Sequence, residues 1–177
     1  VAERTIVFFT SDNGPWLIFG RQGGSAGLLR DGKGSTWEGG MREPAIAWCP
    51  GRIPAGVVTA ELASTLDLLP TFAALAGAEA PTDRPLDGYD ISPLLLGNGP
   101  SPRESMLYYR GPRLMAARKG PWKAHFITQV AYGAQPAEHH QVPVLYHLGH
   151  DPSEKVDVSA DHPAVIAEIR QMVEEHR

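Results

Sequence analysis

The segment Thr5-Ile6-Val7-Phe8-Phe9-Thr10-Ser11-Asp12-Asn13-Gly14-Pro15 decides how the rest of this chain is interpreted. Its first half is rich in β-branched and aromatic residues, which predicts a strand buried on both faces. The strand ends at Ser11, because Ser-Asp-Asn-Gly-Pro is a turn sequence. In open α/β sheets, ligands bind at the carboxyl ends of parallel strands. Asp12 and Asn13 stand at that end, and their oxygens suit Ca²⁺ or Mg²⁺. An Asx turn that only caps the strand is the alternative interpretation.

The composition is that of an ordinary globular protein and excludes several classes. Of the 177 residues, 42% are hydrophobic and 20% are charged, which argues against disorder. The net charge of −4 and the lack of a dense Lys or Arg run argue against nucleic-acid binding, which needs a basic patch. No apolar run approaches the length of a membrane span. Cys49 is the single cysteine, and its apolar neighbours predict a buried, inert thiol.

The start of the sequence carries an expectation of its own. The chain opens on Val1 and runs almost directly into the predicted strand. A parallel strand needs neighbours and a crossover connection, and nothing upstream supplies them. We therefore expect the sequence to be the carboxyl-terminal piece of a longer protein.

A glycine-rich segment follows, from Gly20 to Gly40. A loop of this length and composition inside a compact chain usually serves a site. Lys33 stands between Gly32 and Gly34, where its ammonium has the freedom to reach an anionic oxygen. A solvated loop lysine is the alternative. The spacing does not match a phosphate-binding P-loop.

The remaining pattern predicts short elements that change in character near residue 100. Before that point we expect a buried strand at 44–48 and a packing helix at 65–76, with Thr65 as its cap and Gly77 as its stop. Gly97-Asn98-Gly99-Pro100 marks the break. Beyond it, apolar runs separated by Gly-Pro turns predict an antiparallel meander. Its four strands are predicted at 105–109, 114–118, 122–128 and 144–147. A long polar loop is predicted at 129–143, and a closing amphipathic helix at 163–176.

Several short motifs follow one another along the chain: Thr10-Ser11-Asp12-Asn13-Gly14, Gly32-Lys33-Gly34, Trp37-Glu38-Gly39-Gly40-Met41-Arg42-Glu43-Pro44, Asp67-Leu68-Leu69-Pro70-Thr71, Leu86-Asp87-Gly88-Tyr89-Asp90, Lys123-Ala124-His125-Phe126 and Tyr146-His147-Leu148. Their order resembles the carboxyl-terminal half of type I sulfatases, the arylsulfatase-like branch of the alkaline phosphatase superfamily. The later motifs look most like the N-acetylgalactosamine-6-sulfatase group, with arylsulfatase A next.

The resemblance implies an α/β fold: the end of a large mixed sheet in an incomplete catalytic domain at 1–100, and a small antiparallel sheet with a carboxyl-terminal helix at 101–177. It implies that Asp12 and Asn13 are ligands of an active-site Ca²⁺ and that Lys33 is a catalytic residue touching a sulfate oxygen. His125 would line the substrate pocket, although a strand histidine bonded to a neighbouring carbonyl is equally compatible. The resemblance also implies a substrate that is a sulfated carbohydrate or an aryl sulfate. It further implies a possible homodimer and a lysosomal, secreted or periplasmic location.

The family's nucleophile is a formylglycine made from a Cys/Ser-x-Pro-x-Arg motif, and this motif is absent from the sequence. Cys49-Pro50-Gly51-Arg52 has its proline and arginine out of register. We therefore expect no turnover by these residues alone. Two alternatives remain open: a non-catalytic relative that keeps the scaffold, and a phosphate or phosphonate ester hydrolase of the same superfamily.

Overall fold

The computed structural model describes residues 1–133 and 135–176. The chain divides into two compact units. The first contains Val1–Thr10 with Pro44–Glu104, and the second contains Ser11–Glu43 with Ser105–Arg177. The predicted site residues all belong to the second unit: Asp12, Asn13, Lys33 and His125.

The first unit contains a two-stranded antiparallel sheet of β1 (Val7–Thr10) and β2 (Ala45–Trp48). Val7 lies opposite Trp48, and Phe9 opposite Ile46, so the four side chains share one face. That face is open: Phe9 is 68% exposed and Ile46 62%. The prediction that both strands are buried is therefore wrong for this chain. Apolar residues on both faces make a strand suited to burial, but burial also needs an element that packs on each face.

A capping box starts the helix of the first unit. Ser64 accepts a hydrogen bond from the Leu66 N–H, and its own N–H donates to the Asp67 carboxylate at 2.8 Å. A 3₁₀ turn (Thr65–Asp67) leads into α2 (Leu68–Leu75), and a short α3 (Ser92–Leu95) follows. The predicted helix is confirmed, with Ser64 rather than Thr65 as its cap. The predicted stop is also confirmed, because Gly77 has a φ of 74° just after the helix.

The second unit is built on a four-stranded antiparallel sheet in the order β3-β4-β5-β6, which confirms the predicted meander. The prediction that 129–143 is a loop is wrong from residue 138 onward. His139 pairs with Ile127, and Glu138 pairs with Thr128. Pairing with the end of β5 recruits a polar segment whose own strand preference is weak. The four strands are β3 (Ser105–Arg110), β4 (Arg113–Lys119), β5 (Trp122–Thr128) and β6 (Glu138–His147).

Two helices complete the second unit. The short α1 (Glu38–Met41) lies at the end of the glycine-rich segment, and a 3₁₀ stretch (Leu17–Gln22) overlaps its start. The predicted closing helix is confirmed as α4 (Pro163–His176). It packs its apolar stripe on one face of the sheet and forms the main core, made of Ala117, Ala124, Leu145, Ile166, Ile169 and Val173.

Two further predictions concern single features. Cys49 is 1% exposed, which confirms the buried thiol. Within residues 1–133 and 135–176, no helix has both the length and the apolar character needed to cross a bilayer.

Candidate functional site

Asp12 and Asn13 lie on the turn that follows β1 along the chain. The Ser11 hydroxyl donates to the Asn13 carbonyl at 2.8 Å, so a serine supplies the side-chain bond of this turn. Asp12 is exposed and Asn13 is half-buried. Among the described residues, neither the Asp12 carboxylate nor the Asn13 amide has a hydrogen-bond partner. Both sets of oxygens are therefore available to a cation.

Glu43 adds a second carboxyl group near Asp12. Burial, with the charge of Asp12 as a second cause, raises the pKa of Glu43. Its Oε1 is buried and has no hydrogen-bond partner in the described part of the chain. Two carboxyl groups in one place create a negative potential that favours a cation. Sequence reasoning missed this residue, although Arg42-Glu43-Pro44 belongs to a motif that carried the resemblance.

Lys33 lies next to the same turn through its backbone. Its N–H donates to the Pro15 carbonyl at 2.9 Å, and its Nζ lies 5.2 Å from the centroid of the Trp16 ring. The side chain is half-buried, and no described carboxylate lies within ion-pairing distance of it. The structure thus brings the segment of Lys33 against the turn of Asp12 and Asn13, and it leaves the ammonium available to an anion.

The turn is in direct backbone contact with α1 at Gly14, and α1 is in turn packed against Asp31 of the glycine-rich segment at Gly39. The Gly14 N–H donates to the Gly40 carbonyl at 3.1 Å. A Cβ on Gly14 would lie 1.8 Å from the Gly39 carbonyl oxygen, and a Cβ on Gly39 would lie 2.2 Å from the Asp31 carbonyl oxygen. No side chain fits at either position. The position of the turn is therefore fixed by the position of α1.

His125 lies away from solvent, on β5. Its side chain is fully buried, and its Nε2 lies 2.7 Å from Glu154 Oε1. Burial lowers the pKa of His125 to about 4, against the raising effect of the bond to Glu154. The imidazole is therefore neutral. Because a carboxylate only accepts, Nε2 carries the proton and donates it to Glu154. The substrate-binding role of His125 stays a prediction.

A buried group of charges surrounds this histidine. Lys123 Nζ lies 2.8 Å from Glu38 Oε1 and 3.2 Å from Glu154 Oε1, with all three side chains at most 1% exposed. Arg118 lies 4.0 Å from the other oxygen of Glu38. The two acids and two bases balance in charge, as buried ionic groups must.

Glu38 and Lys123 belong to motifs that carry the resemblance, but no role was predicted for either residue from the sequence. The available signal was the strand alternation, which places Lys123 and His125 on the same face of β5. Two polar side chains on one face opposite an apolar face are expected either in water or in a paired interior.

Comparisons with known proteins match this chain to sulfatases both in sequence and in structure. A family model described as "Sulfatase" matches residues 1–78, and one described as "C-terminal region of aryl-sulfatase" matches residues 101–177. Human arylsulfatase A is 48% identical over 96% of this chain. Dog N-acetylgalactosamine-6-sulfatase is 42% identical over 100% of this chain. The crystal structure of PsFucS1 sulfatase from Pseudoalteromonas sp. superposes with a TM-score of 0.87 at 30% identity over 99% of this chain.

The chain spans little more than a third of these relatives: 37% of human arylsulfatase A, 38% of the dog enzyme and 37% of the PsFucS1 chain. The mixed α/β architecture with small antiparallel sheets and a carboxyl-terminal helix is the one shared with the solved structure.

Proposed function

This chain belongs to the sulfatase family, and we propose that it forms the carboxyl-terminal part of an enzyme that hydrolyses sulfate esters. One observation carries the proposal. The turn with Asp12 and Asn13 and the segment with Lys33 meet at Pro15, so hard oxygen donors and an ammonium lie on adjoining backbone. This pairing of a cation site with a positive charge suits a sulfate group.

The residues present fit Ca²⁺ by their chemistry. Asp12 offers carboxylate oxygens and Asn13 an amide oxygen, neither of them engaged among the described residues. When bound, Ca²⁺ supplies a Lewis acid that withdraws charge from a sulfate oxygen. The Lys33 ammonium stabilises the charge that spreads over the sulfuryl oxygens as the ester bond breaks. Lys33 is thus the catalytic residue of the proposal.

The proposed site needs further groups. Ca²⁺ takes roughly six to eight oxygen ligands. Within residues 1–133 and 135–176, no cluster of three or more His, Cys, Asp or Glu side chains is arranged to hold a metal. The Cys/Ser-x-Pro-x-Arg motif that yields formylglycine is likewise absent from the sequence. We therefore propose that the site is completed by residues outside this chain and that these 177 residues alone do not turn over substrate.

The proposed substrate is a sulfated sugar of the N-acetylgalactosamine-6-sulfate or galactose-6-sulfate type. Its support is the set of relatives named N-acetylgalactosamine-6-sulfatase, at 39% to 42% identity over all of this chain. A structure that superposes with a TM-score of 0.77 at 31% identity comes from work on the metabolism of glycosaminoglycans. The lysosomal or secreted location and the homodimer stay predictions.

A chimera tests the proposal. This chain would replace the matching region of human arylsulfatase A, whose remaining part supplies the nucleophile. We expect the chimera to hydrolyse 4-nitrophenyl sulfate in preference to 4-nitrophenyl phosphate. Lys33→Ala is expected to lower kcat/KM by about 10²- to 10³-fold, because one stabilising charge is lost. Lys155→Ala, at an exposed lysine of the same unit, is the matched control.

The two alternatives are separate outcomes of the same assay. A chimera that prefers the phosphate ester would favour a phosphoesterase. A folded chimera without turnover on either ester would favour a non-catalytic relative and contradict the proposal.

A further inference from the structure

Glu154 has an unusual backbone conformation for its residue type. Its φ is 52°, in the left-handed region that a residue with a Cβ rarely adopts. The surrounding turn holds it there: the Glu154 N–H donates to the Asp151 carbonyl, and the Asp151 carboxylate accepts from the N–H groups of Lys155 and Val156. Glycine would fit this position better, so a glutamate here indicates a role for the side chain.

The Glu154 side chain connects β5 with α1. Its Oε1 accepts from His125 and lies 3.2 Å from Lys123 Nζ. Its Oε2 accepts the N–H of Glu38 at 2.6 Å. Glu38 is the first residue of α1, whose own N-cap, Trp37, provides no side-chain cap. A carboxylate 116 residues away therefore caps this helix.

The backbone around Glu154 holds the glycine-rich segment as well. The Arg30 guanidinium donates to the Glu154 carbonyl at 2.7 Å and stacks over the Trp37 ring at 3.6 Å. The Ser153 hydroxyl donates to the Leu28 carbonyl. The turn at 151–154 thus contacts the chain on both sides of Lys33, at Leu28 and Arg30 before it and at Glu38 after it.

The contact between α1 and the candidate site is made by backbone atoms alone. Gly39 and Gly40 touch the turn of Asp12 and Asn13 at Gly14, with no side chain between them. The Gly39 N–H donates to the Arg30 carbonyl at 2.8 Å. A shift of α1 would therefore move the turn and the glycine-rich segment together.

We propose that Glu154 is a positioning residue: by capping α1 and holding Arg30, it fixes Asp12, Asn13 and Lys33 in the arrangement that binds Ca²⁺ and sulfate. The significance of this arrangement rests on the proposed function, whereas the positioning itself is a property of this chain. A structural core residue would stabilise the whole unit. A positioning residue of this kind acts on α1 and its neighbours.

Amide hydrogen exchange of the 177-residue chain, followed by NMR, separates the two roles. The probes are the N–H groups of Gly14, Lys33 and Gly39, each hydrogen-bonded to a backbone carbonyl. Ala117 and Ala124 in the sheet report on the unit as a whole. In Glu154→Gln we expect exchange at the three probes to rise by about tenfold or more relative to exchange at the sheet amides.

Two further variants make the test specific. Glu154→Gly relieves the left-handed backbone but removes the carboxylate, and we expect it to lose the same protection. Glu168→Gln removes an exposed carboxylate of the same unit, which pairs with Lys119, and should leave all five amides unchanged. Retained protection of the three probes in both Glu154 variants would overturn the proposal. Equal loss of protection in the sheet would also overturn it, because Glu154 would then be a general core residue.

The chimera with human arylsulfatase A supplies the functional readout. Glu154→Gln is expected to raise the Ca²⁺ concentration for half-maximal activity by about tenfold, with activity recovered at saturating Ca²⁺. Lower activity that excess Ca²⁺ does not restore would contradict the positioning of the ion site. If the unsubstituted chimera is inactive while the exchange pattern appears as expected, the proposed function fails and the positioning stands.

Discussion

Lys123 Nζ lies 2.8 Å from Glu38 Oε1, and both side chains are closed off from solvent. Removing the lysine leaves two buried carboxylates, Glu38 and Glu154, beside the one guanidinium of Arg118, so a buried negative charge is uncompensated. We therefore expect Lys123→Met to lower the free energy of unfolding by about 3 to 5 kcal/mol, as measured by urea denaturation. Lys119→Met, which removes the exposed partner of Glu168, is the matched control and should have a much smaller effect. Equal losses in the two variants would show that the buried pair does not stabilise this unit.

The neutral state of His125 predicts acid sensitivity. Burial lowers its pKa from 6.5 to about 4 in the folded chain. Between these values the unfolded chain binds a proton that the folded chain does not bind, so stability falls as the pH falls. The loss amounts to at most about 3 kcal/mol between pH 6.5 and 4.

Glu154 acts in the same direction below that range. Burial alone would raise its pKa, but the bond from His125 and the charge of Lys123 outweigh burial and lower it. The contribution of Glu154 to the free energy of unfolding is present above its unfolded pKa and is lost on further acidification.

Urea unfolding from pH 7.5 to 4 measures the slope of the unfolding free energy against pH that is expected from His125. His125→Gln should flatten the slope, whereas His139→Gln, at an exposed histidine, should not. A slope unchanged in His125→Gln would contradict the assignment.

The first unit has a buried ion pair of its own, between Arg103 and Asp67. Breaking this pair is expected to lower the free energy of unfolding as well. Arg103 donates to both carboxylate oxygens of Asp67, whose side chain also accepts the N–H groups of Ser64 and Tyr89. Asp67→Asn removes the charge and turns one acceptor into a donor. We expect a loss of about 3 kcal/mol or more in the unfolding free energy. Asp83→Asn, at an exposed pair with Arg84, should leave the unfolding curve unchanged.

The close contact between Gly14 and α1 predicts that the affinity of the site for a cation depends on the packing of the turn against α1. Gly14→Ala would place a methyl group 1.8 Å from the Gly39 carbonyl oxygen, so the turn must move. Tb³⁺ serves as a luminescent probe for the Ca²⁺ site, with Trp16, which follows Asn13 closely in the sequence, as the expected sensitiser. In the chimera we expect Gly14→Ala to weaken Tb³⁺ binding by about tenfold or more.

Gly99→Ala provides the control for this experiment, because its added methyl group would meet only ordinary contacts, at 3.6 Å from the Pro93 Cβ. Unchanged Tb³⁺ binding in Gly14→Ala would contradict the prediction, because ion binding would then not depend on the position of this turn.

The sequence was sufficient for elements whose signals are local. Gly111-Pro112 and Gly120-Pro121 marked two hairpins, and β3, β4 and β5 form within two residues of the predicted bounds. The apolar period of α4 likewise fixed its limits and its buried side. Turn chemistry and helical periodicity are properties of neighbouring residues, so one sequence shows them.

The features that were missed depend on distant partners. β6 begins at Glu138 because its first residues pair with the end of β5. Lys123 and Glu154 look like surface residues in the sequence, and each is buried only because the other and Glu38 are present. Such groups become predictable only once the topology is known.

The hydrogen bond between the Glu38 N–H and Glu154 also bears on how such chains can be recombined. Glu38 lies in the part matched by one family model and Glu154 in the part matched by the other. A crossover point anywhere between these two residues, which are 116 positions apart, would combine a helix from one parent with a cap from the other. Grafts between relatives should therefore take both segments from the same parent sequence.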